Sequence, residues 1–172
     1  GARRAAEVFS VPLPDRADIL IVSSSPCDVD YWQANKAISA AWFALRPGGI
    51  LIFVSPCTEG LAHNHPRFRE WLALPLEEIL PRIATANPEN AEEDLIAAVL
   101  ASCNARVREM ASIFAVTQGL SQEDLRVLGY RGFDSVEEAL REARRRIPGG
   151  TVGILPKGGI SLPRLLSGGD TE

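Results

Sequence analysis

Two residues of this chain, Gln33 and Lys36, carry side chains that could bind a carboxylate or an oxyanion. Gln33 offers an amide, and Lys36 offers a compact ammonium with rotatable N–H donors. Residues three positions apart share one face of a helix. Lys36 is unusual here, because the 172 residues include 16 arginines and only two lysines. We interpret the pair as a candidate binding site, with two alternatives open: Gln33 as a capping side chain, and Lys36 as a solvated helix lysine.

A strand, helix and strand pattern surrounds this pair. Residues 17–22 (ADILIV) and 50–54 (ILIFV) are almost unbroken apolar runs, which are typical of parallel strands buried on both faces. Ligands of parallel sheets usually lie outside the carboxyl ends of the strands. Residues 23–30 occupy that place, and the helix with the pair follows them.

The predicted helix has a clear start and end. Asp30 fits the N-cap, with Gln33 at the N3 position of a capping box. Residues 47–49 (PGG) predict that the helix ends after Arg46. At about 100° per residue, one face collects the residues that should pack on the sheet: Tyr31, Ala34, Ile38, Ala41 and Leu45.

The outer side of this helix also carries apolar residues. Trp32 and Phe43 flank Lys36 there. A helix that is apolar on its outer side is usually covered by another part of the protein. We therefore expect a second domain or subunit over Gln33 and Lys36.

The whole chain predicts one α/β domain with a Rossmann-like, mostly parallel sheet of about four to five strands and helices on both faces. We assign residues 15–166 to this domain, residues 1–14 to a leading segment or linker from a missing N-terminal domain, and residues 167–172 to a flexible tail. Asn90, with Glu93 at N3, predicts the start of a long helix.

Composition excludes several kinds of function. The net charge of −4 argues against a general nucleic-acid surface, which needs a basic face. No apolar run approaches the length of a membrane span, so we expect no membrane partner. Three cysteines form no disulfide framework, which makes the cytoplasm the simplest location.

Four possible metal ligands lie near the predicted sheet edge: Cys27, Cys57, His63 and His65. Their spacing matches no strong zinc signature. We interpret them as small thiols and loop histidines, and we expect no metal site. If the two strands are neighbours, Cys27 and Cys57 approach each other at this edge.

The serines at the end of the first strand suggest a second kind of site. Ser23, Ser24 and Ser25 could present hydroxyls and backbone N–H groups to an anion at a helix start. No G-x-G-x-x-G or P-loop motif accompanies them. A Rossmann-like module that binds a small anion, or serves only as a scaffold, is therefore the alternative function.

The same region resembles the C-terminal domain of the nickel-dependent lactate racemase family. That family's pattern is P-x-D-x-x-x-x-Q-x-x-K-x-x-x-A-A, followed by a P-G-G turn and a strand. It falls here on Pro26, Asp28, Gln33, Lys36, Ala40, Ala41, Pro47, Gly48 and Gly49. Residues 134–159, which end in PKGG, are similar to the family's closing helix, strand and turn.

The resemblance implies a racemase or epimerase that removes and returns the C2 hydride of a small 2-hydroxy acid. It implies that Gln33 and Lys36 act in catalysis and bind substrate in an interdomain cleft, where Ser25 and Asp28 also contact substrate. The nickel-pincer nucleotide cofactor would be held by the N-terminal domain of the same polypeptide, and none is expected in this chain. Family members place a tryptophan near the start of the long helix, where Leu95 stands here, so the substrate stays open.

Overall fold

Parallel strands form the centre of the computed structural model, which describes residues 1–62, 64–87, 90 and 94–166. In chain order its elements are α1 (Ala2–Phe9), β1 (Ser10–Leu13), β2 (Ala17–Ser23), α2 (Tyr31–Ala44), β3 (Leu45–Val54), α3 (Phe68–Leu72), α4 (Leu76–Thr85), α5 (Leu95–Met110), β4 (Ser112–Val116), α6 (Gln122–Leu128), β5 (Arg131–Phe133), α7 (Val136–Arg146), β6 (Val152–Leu155) and β7 (Leu162–Leu165).

The main sheet has five parallel strands in the order β5-β4-β3-β2-β6. Side chains alternate along each strand. Leu20 and Val22 belong to the core that includes α2 and α5, whereas Ile19 packs with Ala139 and Ala143 of α7. The predicted α/β class, with helices on both faces of a mostly parallel sheet, is confirmed.

The helix that carries the candidate pair ends earlier than predicted. α2 stops at Ala44, and Leu45 is already extended and pairs with Ala17 of β2. The prediction of an end after Arg46 is therefore wrong. Residues 47–49 do not stop a helix but form an irregularity inside β3, where Gly48 has φ +79°. Pairing with β2 begins before the turn residues, which local sequence signals do not reveal.

The start of the long helix also differs from the prediction. α5 begins at Leu95, and its N-cap is Asp94, whose side chain accepts a hydrogen bond from the backbone N–H of Ala97. Asn90 therefore does not cap it, and Glu93 lies outside the described residues. Asp94 occupies the cap with φ +45°, a conformation that a non-glycine residue rarely adopts.

The ends of the described chain meet in a second, small sheet that the sequence did not predict. β1 and β7 pair in parallel, and the backbone N–H of Leu166 also donates to the carbonyl of Leu13. Much of the predicted leading segment is thus α1 and β1, and the predicted tail, residues 167–172, lies outside the described residues. Within the described ranges, no helix is long and apolar enough to cross a membrane.

A cluster of arginines surrounds one carboxylate on α7. Glu142 accepts hydrogen bonds from Arg145 at 2.8 Å, from Arg146 at 2.9 Å and from Arg131 at 2.9 Å. The hydrogen bonds from Arg145 and then Arg146 lower the pKa of Glu142 from 4.5 to about 2. Because Arg131 precedes α7 in the chain, the cluster ties β5 to this helix.

This lowered pKa predicts a loss of stability in acid. A carboxyl whose folded pKa is depressed stabilises the fold above its unfolded pKa, and this contribution disappears as the pH falls through the folded value. We expect the urea midpoint of this chain to fall between about pH 4.5 and pH 2. Glu142→Gln should flatten that part of the profile, whereas Glu137→Gln on the exposed side of α7 should not. Parallel profiles for wild type and Glu142→Gln would contradict the assignment.

Candidate functional site

The candidate pair lies in the first two turns of α2. Asp30 caps the helix, and its Oδ1 accepts the backbone N–H of Gln33 at 2.8 Å, as the sequence predicts. A full capping box also needs a hydrogen bond from the backbone N–H of Asp30 to the Gln33 side chain. Among the described residues this second bond is not formed, because the Gln33 side chain turns to Lys36 instead. A purely capping role for Gln33 therefore does not describe its side chain.

Gln33 and Lys36 are in direct contact. The ammonium of Lys36 donates to the Gln33 Oε1 at 2.6 Å, with Gln33 half-buried and Lys36 exposed. This bond directs the amide oxygen toward the ammonium. The remaining N–H donors of both groups are suited to a carboxylate, because charge-assisted donors bind carboxylates more strongly than neutral ones.

Two loops reach the pair from neighbouring strands. The Nζ of Lys36 lies 3.9 Å from the Sγ of Cys27, and this thiol lies 3.7 Å from the carbonyl oxygen of Gly159. The loop after β6 is held against β2 by a hydrogen bond from the N–H of Gly158 to the carbonyl of Ser23. Lys36 is thus framed by the loops that follow β2 and β6.

Gly159 is required by this close approach. A Cβ atom at this position would lie 2.2 Å from the carbonyl oxygen of Ser24 and 3.0 Å from the Cβ of Cys27. The predicted PKGG turn therefore packs directly on the loop next to Lys36. The glycine pair of this turn is visible in the sequence, but the sequence does not show that the carbonyl of Ser24 lies against Gly159.

The strand ends are joined by buried hydroxyl and thiol groups. The hydroxyl of Ser24 donates to that of Ser55 at 2.6 Å, and the thiol of Cys57 donates to the same Ser55 oxygen at 3.1 Å. Ser24 is therefore part of the core. Ser25 and Asp28, the two other predicted substrate contacts, are half-buried in the loop that leads to α2.

Backbone donors at the start of α2 are already occupied. The N–H groups of Tyr31 and Trp32 donate to the carbonyls of Gly60 and Leu61 at 2.8 and 2.9 Å. The next N–H, that of Gln33, is taken by the Asp30 cap. An anion at this edge would consequently depend on side chains, which weakens the interpretation of residues 23–25 as a helix-start anion site.

The four possible metal ligands do not form a ligand set in the part of the chain that the structure describes. Burial raises the pKa of the Cys57 thiol to about 11, and this thiol donates to the Ser55 hydroxyl oxygen. Cys27 approaches Lys36, and His65 has an aspartate partner of its own. His63 lies outside the described residues. The backbone N–H of Cys57 donates to the carbonyl of Asp28, so the two cysteine loops do approach each other.

The outer side of α2 is partly covered by this chain itself. The indole of Trp32 stacks on the imidazole of His65, with centroids 3.5 Å apart and planes 4° apart, and it meets Phe68 edge-on. Trp32 therefore needs no second domain to cover it. Phe43 is 47% exposed, and Lys36 is also exposed, so this part of the surface stays open in the described chain.

The carboxylate of Asp94 contacts the imidazole that stacks on Trp32, and the sequence did not predict a role for Asp94. Its Oδ2 lies 3.0 Å from the Nδ1 of His65, while its Oδ1 caps α5. Leu95, which stands where family members place a tryptophan, is the half-buried first residue of that helix. An aspartate directly before an apolar helical run is a cap signal, but nothing in the sequence connected it to His65.

The fold and the pair define a Rossmann-like α/β domain that presents an amide and an ammonium near the carboxyl edge of a parallel sheet. Residues 14–162 match the model of the lactate racemase C-terminal domain family. The chain belongs to that family, as the Gln33 and Lys36 pattern suggested. No curated protein matches the chain.

Two solved structures share the fold. The lactate racemase apoprotein from Thermoanaerobacterium thermosaccharolyticum superposes with a TM-score of 0.79 at 21% identity, over 95% of this chain and 39% of that chain. A protein from Thermotoga maritima superposes with a TM-score of 0.57 at 12% identity, over 95% of this chain and 41% of that chain. This chain thus spans about two-fifths of each of these proteins.

Proposed function

We propose that this chain is the C-terminal domain of a racemase or epimerase that acts on 2-hydroxy acids. It would face the N-terminal catalytic domain of the same polypeptide across a cleft and contribute Lys36 and Gln33 to it. The observation that carries this proposal is the 2.6 Å contact between the two side chains on the open side of α2, inside the region that matches the family. Residues 1–14 would connect the two domains, and residues 15–166 would form this one.

Lys36 would bind the substrate carboxylate through its ammonium group. Such a charge-assisted contact contributes about 1.5–3 kcal/mol. Gln33 would hold that ammonium in place through its Oε1 and could use its own N–H donors on the same carboxylate or on the C2 oxygen. Ser25 and Asp28, in the loop that leads to α2, would line the same side of the cleft.

We assign the nickel-pincer nucleotide of the family to the N-terminal domain of the same polypeptide, as the family resemblance implies. This chain would contribute side chains to the substrate side of the cleft. Three free cysteines and an acidic charge fit a cytoplasmic enzyme that binds neither nucleic acid nor membrane.

The proposal is tested by assaying the full-length protein, loaded with its cofactor, on single enantiomers of several 2-hydroxy acids. Chiral chromatography should detect the opposite configuration at C2. Residues 1–172 alone should convert none of them, because the proposed cofactor site lies outside these residues. A loaded full-length protein that leaves every compound unchanged would refute the proposed function, and turnover by the isolated chain would refute the shared cleft.

A further inference from the structure

The imidazole of His65 and the amide of Gln33 line the same pocket, which has a volume of about 180 Å³. The other residues that line this pocket are Asp30, Trp32, Ala62 and Asn64. Gln33 thus belongs both to the proposed carboxylate site and to this pocket. A substrate whose carboxylate is held by Lys36 could extend its carbon chain past Gln33 into this space.

His65 is held in this pocket by two contacts that fix its ring. One ring face lies on Trp32 at 3.5 Å, and Nδ1 lies 3.0 Å from the Oδ2 of Asp94. A carboxylate at Nδ1 sets the tautomer, because Nδ1 then carries the hydrogen and Nε2 keeps a lone pair. Among the described residues, no hydrogen-bond partner is found for Nε2, although the side chain is only 27% exposed.

Asp94 holds this arrangement at an energetic cost. Its backbone has φ +45°, in the left-handed region that non-glycine residues rarely adopt. The same carboxylate caps α5, so the position of His65 is tied to the start of a helix that packs on α2. A rigid imidazole on a rigid support is what selective hydrogen bonding requires.

The charges around the pocket indicate what His65 would bind. Asp30 lines the same pocket, and Asp94 lies behind the imidazole. A second carboxylate on the substrate would meet these two negative groups, whereas a neutral hydroxyl would not. A hydroxyl can also donate a hydrogen bond to the lone pair of Nε2.

We infer that His65 is a substrate-binding residue that selects 2-hydroxy acids with a further hydroxyl on the carbon chain beyond C2. This inference rests on the proposed function, because it places the substrate carboxylate at Lys36. Asp94 is a positioning residue that acts through His65. The methyl group of lactate would leave Nε2 without a partner, and polar sites discriminate strongly against substrates that leave them unpaired.

The test compares glycerate, lactate and malate as substrates of the cofactor-loaded full-length protein. Wild type should show a kcat/KM for glycerate at least about tenfold above those for lactate and malate. His65→Phe keeps an aromatic ring on Trp32 but removes both nitrogens. It should lower kcat/KM for glycerate about tenfold and leave that for lactate within about threefold.

Two further measurements separate binding from a structural effect. Calorimetry on the full-length protein should show that glycerate binds more tightly than lactate in wild type and equally in His65→Phe. Asp94→Asn keeps a cap residue that accepts a hydrogen bond and tolerates positive φ. It should reduce the preference for glycerate while leaving the melting temperature close to that of wild type.

The outcomes distinguish the two proposals. If wild type converts lactate as well as glycerate, and His65→Phe changes neither, the role of His65 is refuted while the proposed racemase function stands. If wild type converts none of the 2-hydroxy acids, the proposed function fails and this inference fails with it. Equal losses for lactate and glycerate in His65→Phe would also overturn the inference, because they indicate a general structural effect.

Discussion

Replacement of Lys36 by methionine in the full-length protein should lower activity on the proposed 2-hydroxy acid substrate ten- to a hundredfold or more. Methionine keeps the aliphatic bulk and removes only the ammonium, which would otherwise contribute about 1.5–3 kcal/mol to binding of the carboxylate in the transition state. The side chain is exposed, and its hydrogen-bond partners among the described residues are Gln33 and Cys27. The free energy of unfolding should therefore change by no more than about 0.5 kcal/mol.

Controls distinguish this role from a general effect of charge. Arg141→Met removes one exposed positive charge from α7, on the opposite face of the sheet, and should leave activity unchanged. Lys36→Arg should retain only part of the activity, because a planar guanidinium is larger and differently shaped. Full activity and normal stability in Lys36→Met would mean that Lys36 is only a solvated helix residue.

Gly159→Ala should lower the stability of the fold and should also affect the site. The added Cβ would lie 2.2 Å from the carbonyl oxygen of Ser24, a backbone atom that cannot rotate away. The loop after β6 or the loop with Cys27 must move, which we expect to cost about 1–3 kcal/mol. The melting temperature should fall by several degrees, and kcat/KM of the full-length protein should fall because Cys27 lies beside Lys36.

Gly153→Ala is the matched control for this substitution. It lies in β6, shortly before the same loop, and its added Cβ would lie 3.0 Å from the Cβ of Ala17 and 3.2 Å from a Leu20 methyl. These are side-chain atoms at larger distances, so the loss of stability should be smaller and activity at permissive temperature should be unchanged. Equal melting temperatures for Gly159→Ala and wild type would show that the two loops are less closely packed than described.

The local part of this fold could be predicted from the sequence. The apolar runs of β2 and β3 were recognisable because strands buried on both faces need such residues, and the Asp30 cap was recognisable because its pattern is short and specific. The buried face of α2 followed from helical periodicity, and Tyr31, Ala34 and Ile38 are all fully buried.

The rest depends on contacts between residues far apart in the chain. The sheet order and the pairing of β1 with β7 have no local signal, since each strand pair is separated by other elements. The partnership of His65 and Asp94 joins residues 29 positions apart. The cap at Asp94 was missed because Asn90, with Glu93 at N3, offered a competing pattern, although Asp94 directly precedes the apolar run of α5.

The saturated first turn of α2 has a consequence for how this surface can evolve. Every residue type except proline supplies the same backbone N–H, so a site made from those groups could not be altered by substitution. Here the carbonyls of residues 60 and 61 and the Asp30 cap already use them. Under the proposed function, selectivity would therefore rest on the side chains at positions 33, 36 and 65. Single codon changes at these positions would then alter the substrate preference, while the helix and the loops that hold it remain intact.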